Sequence, residues 1–220
     1  MIRHHLPDTM LLDHAAGTLP PAVPTLVATH LTLCPTCRGM LAVLEGLAGQ
    51  MLAGLPPVDG DDEAGLAALL ERLDEPEPEP TVLLPAWNDG GEFLLPAPLR
   101  RLTGPSANLQ WRPSAPGIGR RVALTEELGG IASTLEEVWA GKEVPNHGHR
   151  GIEITLVLAG GYTDEQGHYG RGDVQVVGPE TVHGLQIDDD GEPCLLLSVR
   201  SAARVPHGLK ARIASWIGAI

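Results

Sequence analysis

Aromatic residues are scarce in this chain of 220 residues: one Phe, two Tyr and four Trp leave any core to aliphatic side chains. Cysteine is also rare, and three cysteines, an odd number, exclude a disulfide framework as the main source of stability. No apolar run is long enough to resemble a transmembrane span, and the first eight residues lack the apolar core of a signal peptide. We therefore expect a cytoplasmic protein without a membrane partner.

Positive charge is in short supply. The chain has 15 basic and 28 acidic residues, a formal net charge of −13, and residues 1–80 hold three basic and twelve acidic side chains, a net charge of −9. An acidic field of this kind repels nucleic acid, so we expect no direct nucleic-acid binding. Two interpretations remain for the acidic surface: it attracts a basic protein partner, or it keeps a helical domain soluble.

The chain divides at a run of alternating Glu and Pro, residues 74–80, which favours an extended, semi-rigid backbone. We predict a helical domain at residues 1–75, a linker at 76–92 and a second domain at 93–220. The apolar spacing of the first domain predicts a four-helix bundle with helices at Asp8–Ala16, at Ala22–Leu33, from Thr36 into the fifties, and at Asp62–Leu73.

The last of these helices carries a narrow leucine stripe. Its members are Leu66, Leu69, Leu70 and Leu73. We favour ordinary packing of this stripe onto the bundle, and the alternative is a docking face for a partner. A domain of about 75 residues is near the size at which a bound metal ion becomes a useful source of stability.

The pattern after residue 92 is that of short strands between glycine-rich turns. We predict strands at Ile152–Leu158, Asp173–Val177 and Cys194–Val199, within an all-β sandwich or barrel. A closing helix is predicted at Pro206–Trp216.

Three potential metal ligands lie close together in the first domain. On a helix His30 and Cys34 share one side and Cys37 follows three residues on, with Pro35 interrupting the helix between the cysteines. Two thiolates and an imidazole suit zinc, and a closed site needs a fourth ligand. From spacing alone that ligand is His4, His5 or His14. A thioredoxin-like redox pair is disfavoured because no βαβ pattern surrounds the cysteines.

A second set of potential ligands occurs in the strand-rich region. It reads Gly141-x5-His147-x-His149-x3-Glu153-x6-Gly160, followed by His183. The two histidines alternate on a strand, and Glu153 keeps the same parity if that strand stays regular. Three imidazoles and one carboxylate can bind zinc, Mn, Fe or Ni, and this ligand set does not determine which of these metals is bound. The spacing matches the first cupin motif, so we expect a jelly-roll barrel that holds one divalent metal.

Several stretches together resemble the ChrR family of anti-sigma factors. They are Arg3-His-His5, Ala15-Ala-Gly-Thr-Leu19, Ala28-Thr-His-Leu-x-Leu-Cys34 and His147-Gly-His-Arg-Gly-x-Glu153-x-Thr-Leu-Val-Leu158. The resemblance implies a zinc-binding anti-sigma domain with His5 as fourth ligand, followed by a cupin.

The resemblance also implies a function. The helical domain would bind and inhibit an extracytoplasmic-function-type sigma factor, and singlet oxygen or an organic hydroperoxide would cause its release, with the cupin as sensor or transmitter. The alternative is a metal-dependent, dioxygenase-like cupin enzyme with a zinc-binding assembly module. Such an enzyme needs polar groups that orient a substrate, and the sequence offers only unspecific candidates such as Arg120, Arg121 and Gln175.

Overall fold

The computed structural model describes residues 1–56, 63–74, 93–105, 109–115, 117–124, 131–202 and 204–206. Helices come first along the chain and strands follow. The helices are α1 (Asp8–Ala15), α2 (Val23–Leu33), α3 (Pro35–Ala53), α4 (Glu63–Glu71, continued by a 3-10 turn at Arg72–Asp74) and α5 (Ala97–Thr103).

The strands form two antiparallel sheets. They are β1 (Arg112–Ala115), β2 (Gly119–Ala123), β3 (Ala132–Val138), β4 (Glu143–His149), β5 (Glu153–Ala159), β6 (Gly161–Asp164), β7 (Gly167–Gly170), β8 (Val174–Val177), β9 (Val182–Ile187), β10 (Cys194–Arg200) and β11 (Arg204–Pro206). The first sheet has the order β1-β2-β3-β10-β5-β8, and the second has the order β11-β4-β9-β6-β7. The predicted β-sandwich is therefore present.

The helical part follows the predicted boundaries to within one or two residues, and α1 packs against both α2 and α3. The expected four-helix bundle is not confirmed. The four leucines of the stripe on α4 and the turn after it are all more than half exposed. The packing that we favoured for the stripe is therefore absent from the described residues.

One helix was missed. The chain after residue 92 begins with α5 rather than with a strand, because Pro98 stands in the first turn of a helix and Gly104, at a φ of 74°, ends it. Its Leu99 is fully buried, and α5 lies against α2. A helix of seven residues is too short to show a clear apolar period, and burial of that leucine stabilises it instead.

The largest core cluster crosses from the helices into the sandwich. It joins Leu26 and Leu31 of α2 to Leu99, to Leu135 of β3 and to Leu197 of β10. The two parts therefore share apolar packing in addition to the chain connection. The predicted linker at 76–92 lies outside the described residues, and so does the predicted closing helix beyond Pro206, the residue at which β11 ends.

No single helix among the described residues is long and apolar enough to cross a membrane. Within the same residues, α2 and α3 taken together pass such a test by length and composition alone, and they meet at a bend of 117°.

Candidate metal centres

The first candidate centre forms at the bend between α2 and α3. Cys34 leaves the helical conformation at φ −106° and ψ 102°, and Pro35 then starts α3. The Sγ atom of Cys34 accepts a hydrogen bond of 3.4 Å from the backbone N–H of Cys37 and so caps the new helix. The interruption that Pro35 predicted is therefore present, and it turns both thiols toward His30.

Four side chains converge at this bend. The potential ligand atoms of His5, His30, Cys34 and Cys37 all lie within 4.8 Å of one another. The Nδ1 atom of His5 is 3.2 Å from the Sγ of Cys34 and 3.7 Å from that of Cys37. Three of the four residues are buried, and His5 is exposed.

The set fits a zinc ion. The Nε2 atom of His30 is buried and has no hydrogen-bond partner, an arrangement that a bound cation would satisfy. Burial lowers the pKa of His30 to about 4, which keeps its imidazole neutral, as ligation requires. Burial raises the pKa of the Cys37 thiol to about 11, so a thiolate there depends on a cation that replaces its proton.

The structure distinguishes among His4, His5 and His14, the three candidates for the fourth zinc ligand that sequence spacing left open. The Nε2 atom of His4 lies 3.2 Å from the carbonyl oxygen of His168, and its ring centroid lies 4.3 Å from that of Tyr169. His14 is on α1 and is not part of the cluster. The geometry therefore favours His5, the residue that the family resemblance implies.

The second candidate centre lies between the two sheets. His147 and His149 alternate on β4, and His183 on β9 is paired with His147 across the sheet. Glu153 does not continue β4, as the parity argument assumed. The chain turns at residues 150–152, and Glu153 begins β5 in the opposite sheet, from which it faces the histidines.

All four of these residues are buried, and their potential ligand atoms lie within 4.8 Å of one another. The Nε2 atoms of His149 and His183 are 3.1 Å apart, and the Nδ1 of His149 lies 3.0 Å from Glu153 Oε2. The Nε2 of His147 is buried without a hydrogen-bond partner, and the buried Nδ1 of His149 makes no well-directed hydrogen bond despite its closeness to Glu153. These unsatisfied nitrogens and the adjacent carboxylate fit a divalent metal.

Hydrogen bonds outside the cluster orient two of the imidazoles. The Nδ1 of His147 lies 3.0 Å from the Pro145 carbonyl, and the Nδ1 of His183 lies 3.1 Å from Asp164 Oδ2. Gln175 donates to the same Asp164 oxygen over 2.6 Å. Burial acts to raise the pKa of Asp164, and the hydrogen bonds from Gln175 and His183 outweigh it, so this pKa lies below its usual value. Such partners turn the Nε2 atoms of His147 and His183 toward the centre.

A buried group of charges holds the glutamate ligand. Arg204 donates over 2.6 Å to Glu153 and over 3.0 Å to Glu136, and Arg200 donates over 2.9 Å to Glu136. Burial acts to raise the pKa of Glu153, but Arg204 and Arg200 outweigh it and lower this pKa to about 2. The carboxylate is therefore ionised, with Oε1 held by Arg204 and Oε2 facing the histidines.

The sequence interpretation missed Glu136, Asp164, Arg200 and Arg204. Among these four, Glu136 alone was marked by its sequence context, as one of two adjacent acids between Leu135 and Val138. Nothing local linked it to Arg204, 68 residues later. Of the polar candidates for substrate orientation, Gln175 is buried and bonds Asp164 and Tyr162. Arg120 pairs instead with Glu137.

Comparison with known proteins identifies the family. Residues 100–200 match the family model of the ChrR cupin-like domain. The anti-sigma-E factor ChrR of Cereibacter sphaeroides is 34% identical over 202 residues, which cover 91% of this chain and 91% of the relative. The chain belongs to the ChrR family of anti-sigma factors.

The structural similarity extends over both parts of the chain. A chain in the crystal structure of Rhodobacter sphaeroides SigE in complex with the anti-sigma ChrR matches with a TM-score of 0.72 at 34% identity. The match covers 91% of this chain and 99% of that chain. The family resemblance read from the sequence is thus confirmed. ChrR acts by binding a sigma factor, so the expected class, a regulatory binding protein rather than an enzyme, agrees with the family.

Proposed function

We propose that this chain binds an extracytoplasmic-function-type sigma factor through its helical part and keeps it from RNA polymerase. The observation that carries the proposal is the similarity, along nearly the whole chain, to ChrR, which is known in complex with SigE. The net charge of −9 over residues 1–80 gives such a partner an acidic surface to approach.

The exposed apolar surface supplies a docking face. Most of the large apolar side chains exposed among the described residues lie on α3, on α4 or just after them. They are Met40, Val43, Leu47, Met51, Leu52, Leu55, Leu66, Leu69, Leu70 and Leu73. Apolar exposure of this extent marks an interaction surface, and the methionines can adapt to a partner's side chains.

The proposed zinc ligands are His5, His30, Cys34 and Cys37. A zinc ion held by them would tie the N-terminal segment to the bend between α2 and α3. These residues fix the direction in which α3 leaves the bend, and α3 carries much of the docking face. Zinc and sigma binding should therefore be lost together.

The proposed cupin ligands are His147, His149, Glu153 and His183, for zinc or another divalent metal such as Mn, Fe or Ni. We assign this site to sensing or transmitting an oxidative signal, singlet oxygen or an organic hydroperoxide, that leads to sigma release. Oxidation of the zinc-binding thiolates is a second route. There a hydroperoxide transfers one oxygen to a cysteine sulfur, forms a sulfenate and leaves as an alcohol, and the zinc loses a ligand.

Replacement of Cys34 tests the first part of this proposal. The Cys34→Ser chain should lose zinc and should no longer co-purify with the sigma factor. The matched control is Cys194→Ser, because Cys194 is equally buried but lies in β10, outside both clusters. Normal sigma binding by a zinc-free Cys34→Ser chain would contradict the structural role of this site.

Substitutions on the docking face test the second part. Leu47→Asp should weaken sigma binding at least about tenfold, as expected for an apolar contact at the centre of an interface. Leu102→Asp is the control, since Leu102 is similarly exposed but lies on α5, which packs against α2. Equal effects of the two substitutions would place the sigma factor elsewhere.

A further inference from the structure

The turn from β7 into β8 binds the N-terminal segment of the helical part through hydrogen bonds. This turn comprises residues 170–174. The Oδ1 atom of Asp173 accepts hydrogen bonds from the backbone N–H groups of Arg3 over 2.6 Å and of His4 over 2.9 Å. The N–H of Val174 donates to the His4 carbonyl over 3.0 Å. These contacts hold the backbone up to the residue before His5, the one exposed member of the proposed zinc site.

The same turn also holds a second histidine of that site. The Nδ1 atom of His30 lies 2.9 Å from the carbonyl oxygen of Gly172, which is buried. A carbonyl is only an acceptor, so the Nδ1 atom carries the proton and the lone pair lies on Nε2. The Nε2 atom is the unsatisfied nitrogen in the cluster. The tautomer and direction of His30 are therefore set by a residue 142 positions away, in the sandwich.

A side chain at Gly172 would have to displace the side chain of Ile2. A Cβ atom at this position would lie 2.5 Å from Cδ1 of Ile2 and 3.7 Å from Cβ of Leu33. The glycine also has a φ of +90°, a conformation that other residues rarely adopt. Glycine thus allows the turn to reach both the N-terminal segment and the end of α2.

We propose that the sandwich completes the zinc site: residues 170–174 position both imidazole ligands, so the conformation of this turn sets the affinity of the helical part for zinc. The proposal rests on the ligand set named under the proposed function. The two thiols belong to the bend between α2 and α3, whereas the His30 imidazole bonds to Gly172 and the backbone just before His5 bonds to Asp173 and Val174. Hydrogen-bond partners of metal-bound histidines commonly change metal affinity about 10- to 100-fold.

The same turn also connects the second metal centre to the first through strand β8. Strand β8 continues directly from it and carries Gln175, whose amide binds the Asp164 that orients His183. On this proposal, a displacement of β8 that starts at the cupin ligands would be passed to the residues that bond to His30 and to the backbone before His5.

The test measures the zinc affinity of the full chain by competition with a chelator. Asp173→Ala removes all the hydrogen bonds of that carboxylate, and Gly172→Ala forces Ile2 away. The controls are Asp190→Ala and Gly191→Ala. Asp190 likewise accepts a backbone N–H, but within its own loop, and Gly191 has nearly the same φ, +91°, with nothing within 4 Å of an added Cβ. Gly191→Ala therefore reproduces the backbone strain, and Asp190→Ala the loss of a carboxylate acceptor, each without the contacts that Gly172 and Asp173 make to the helical part.

We expect Asp173→Ala and Gly172→Ala to weaken zinc binding about 10- to 100-fold and the two controls to stay within about twofold of the unaltered chain. Hydrogen exchange at the amides of Arg3 and His4 should accelerate in Asp173→Ala and not in Asp190→Ala. Zinc affinity that is unchanged in both test variants would overturn the proposal, and so would an unaltered chain that binds no zinc here. Sigma binding is measured separately, so an unaltered chain that holds zinc but no sigma factor contradicts only the proposed function.

Discussion

Replacing Arg204 with methionine tests how much the buried ion pairs contribute to the stability of the sandwich. Arg204 contacts both Glu136 and Glu153, and the side chains of all three residues are at most 10% exposed. Without Arg204, two buried carboxylates would share the single guanidinium of Arg200, whose contacts reach 2.9 Å and 3.4 Å. One surplus negative charge would then remain between the sheets.

The expected loss is large on the scale of protein stability. Removing one partner of a buried ion pair costs about 3–5 kcal/mol because the remaining charge is left uncompensated away from water. Methionine has a similar apolar length, so most of the packing of the arginine stem is kept. We therefore expect the free energy of unfolding of Arg204→Met to fall by about 3–5 kcal/mol.

The neighbouring residue Glu137 provides a matched control. It binds Arg120 with two hydrogen bonds of 3.1 Å and 2.9 Å; the Glu137 side chain is only 4% exposed, but that of Arg120 is 43% exposed, so water reaches one partner of this pair. Arg120 also lies 4.6 Å from the centre of the Trp111 ring. Solvent screens a pair whose arginine is exposed, and a cation–π contact contributes about 1 kcal/mol or less, so Arg120→Met should cost about 1–2 kcal/mol, less than Arg204→Met.

Urea unfolding of both variants, followed by far-ultraviolet circular dichroism with a chelator present, gives the comparison. Adding Glu136→Gln to Arg204→Met should recover part of the loss, because it removes the surplus charge. If Arg204→Met and Arg120→Met cost the same within about 0.5 kcal/mol, burial would not decide the energy of these pairs and the reasoning would be refuted.

Two further predictions concern the core and the second centre. Leu26→Ala should lower the free energy of unfolding by about 2–5 kcal/mol, because Leu26 is fully buried in the shared core. Leu52→Ala, at an exposed position of α3, should change it by no more than about 0.5 kcal/mol in the same urea assay. Asp164→Asn should weaken metal binding at the second centre about 10- to 100-fold in a chelator titration, because it alters the partner of His183. Equal metal affinity in Asp164→Asn would show that the carboxylate does not orient this ligand.

The parts of both centres that depend on short-range geometry could be read from the sequence. Pro35 cannot continue a helix, so the break between Cys34 and Cys37 follows from the covalent chain. The alternation of His147 and His149 likewise needs only the period of a strand. Each prediction used fewer than ten residues, and the structure has both features.

The predictions failed where a local sequence pattern was extended beyond a turn, or was used to infer what a helix packs against. Counted along the sequence, Glu153 has the parity that would place its side chain on the same face of β4 as the two histidines. The chain crosses to the other sheet before Glu153, so this parity does not determine the direction of its side chain. The leucine stripe of α4 correctly indicated an amphipathic helix. Its periodicity could not say whether the apolar face meets this chain or another one.

The contacts that unite the two centres lie beyond any local pattern. Asp173 and Arg3 are 170 positions apart, and neither residue type nor spacing marks them as partners. Arg3-His4-His5 looked like a source of one zinc ligand, yet the backbone of the first two residues binds the sandwich and only the third faces the thiols. A zinc site with one imidazole bonded to the sandwich, and with the backbone before the other bonded there too, would respond to changes in the sandwich, as the proposed coupling of a signal to sigma binding requires.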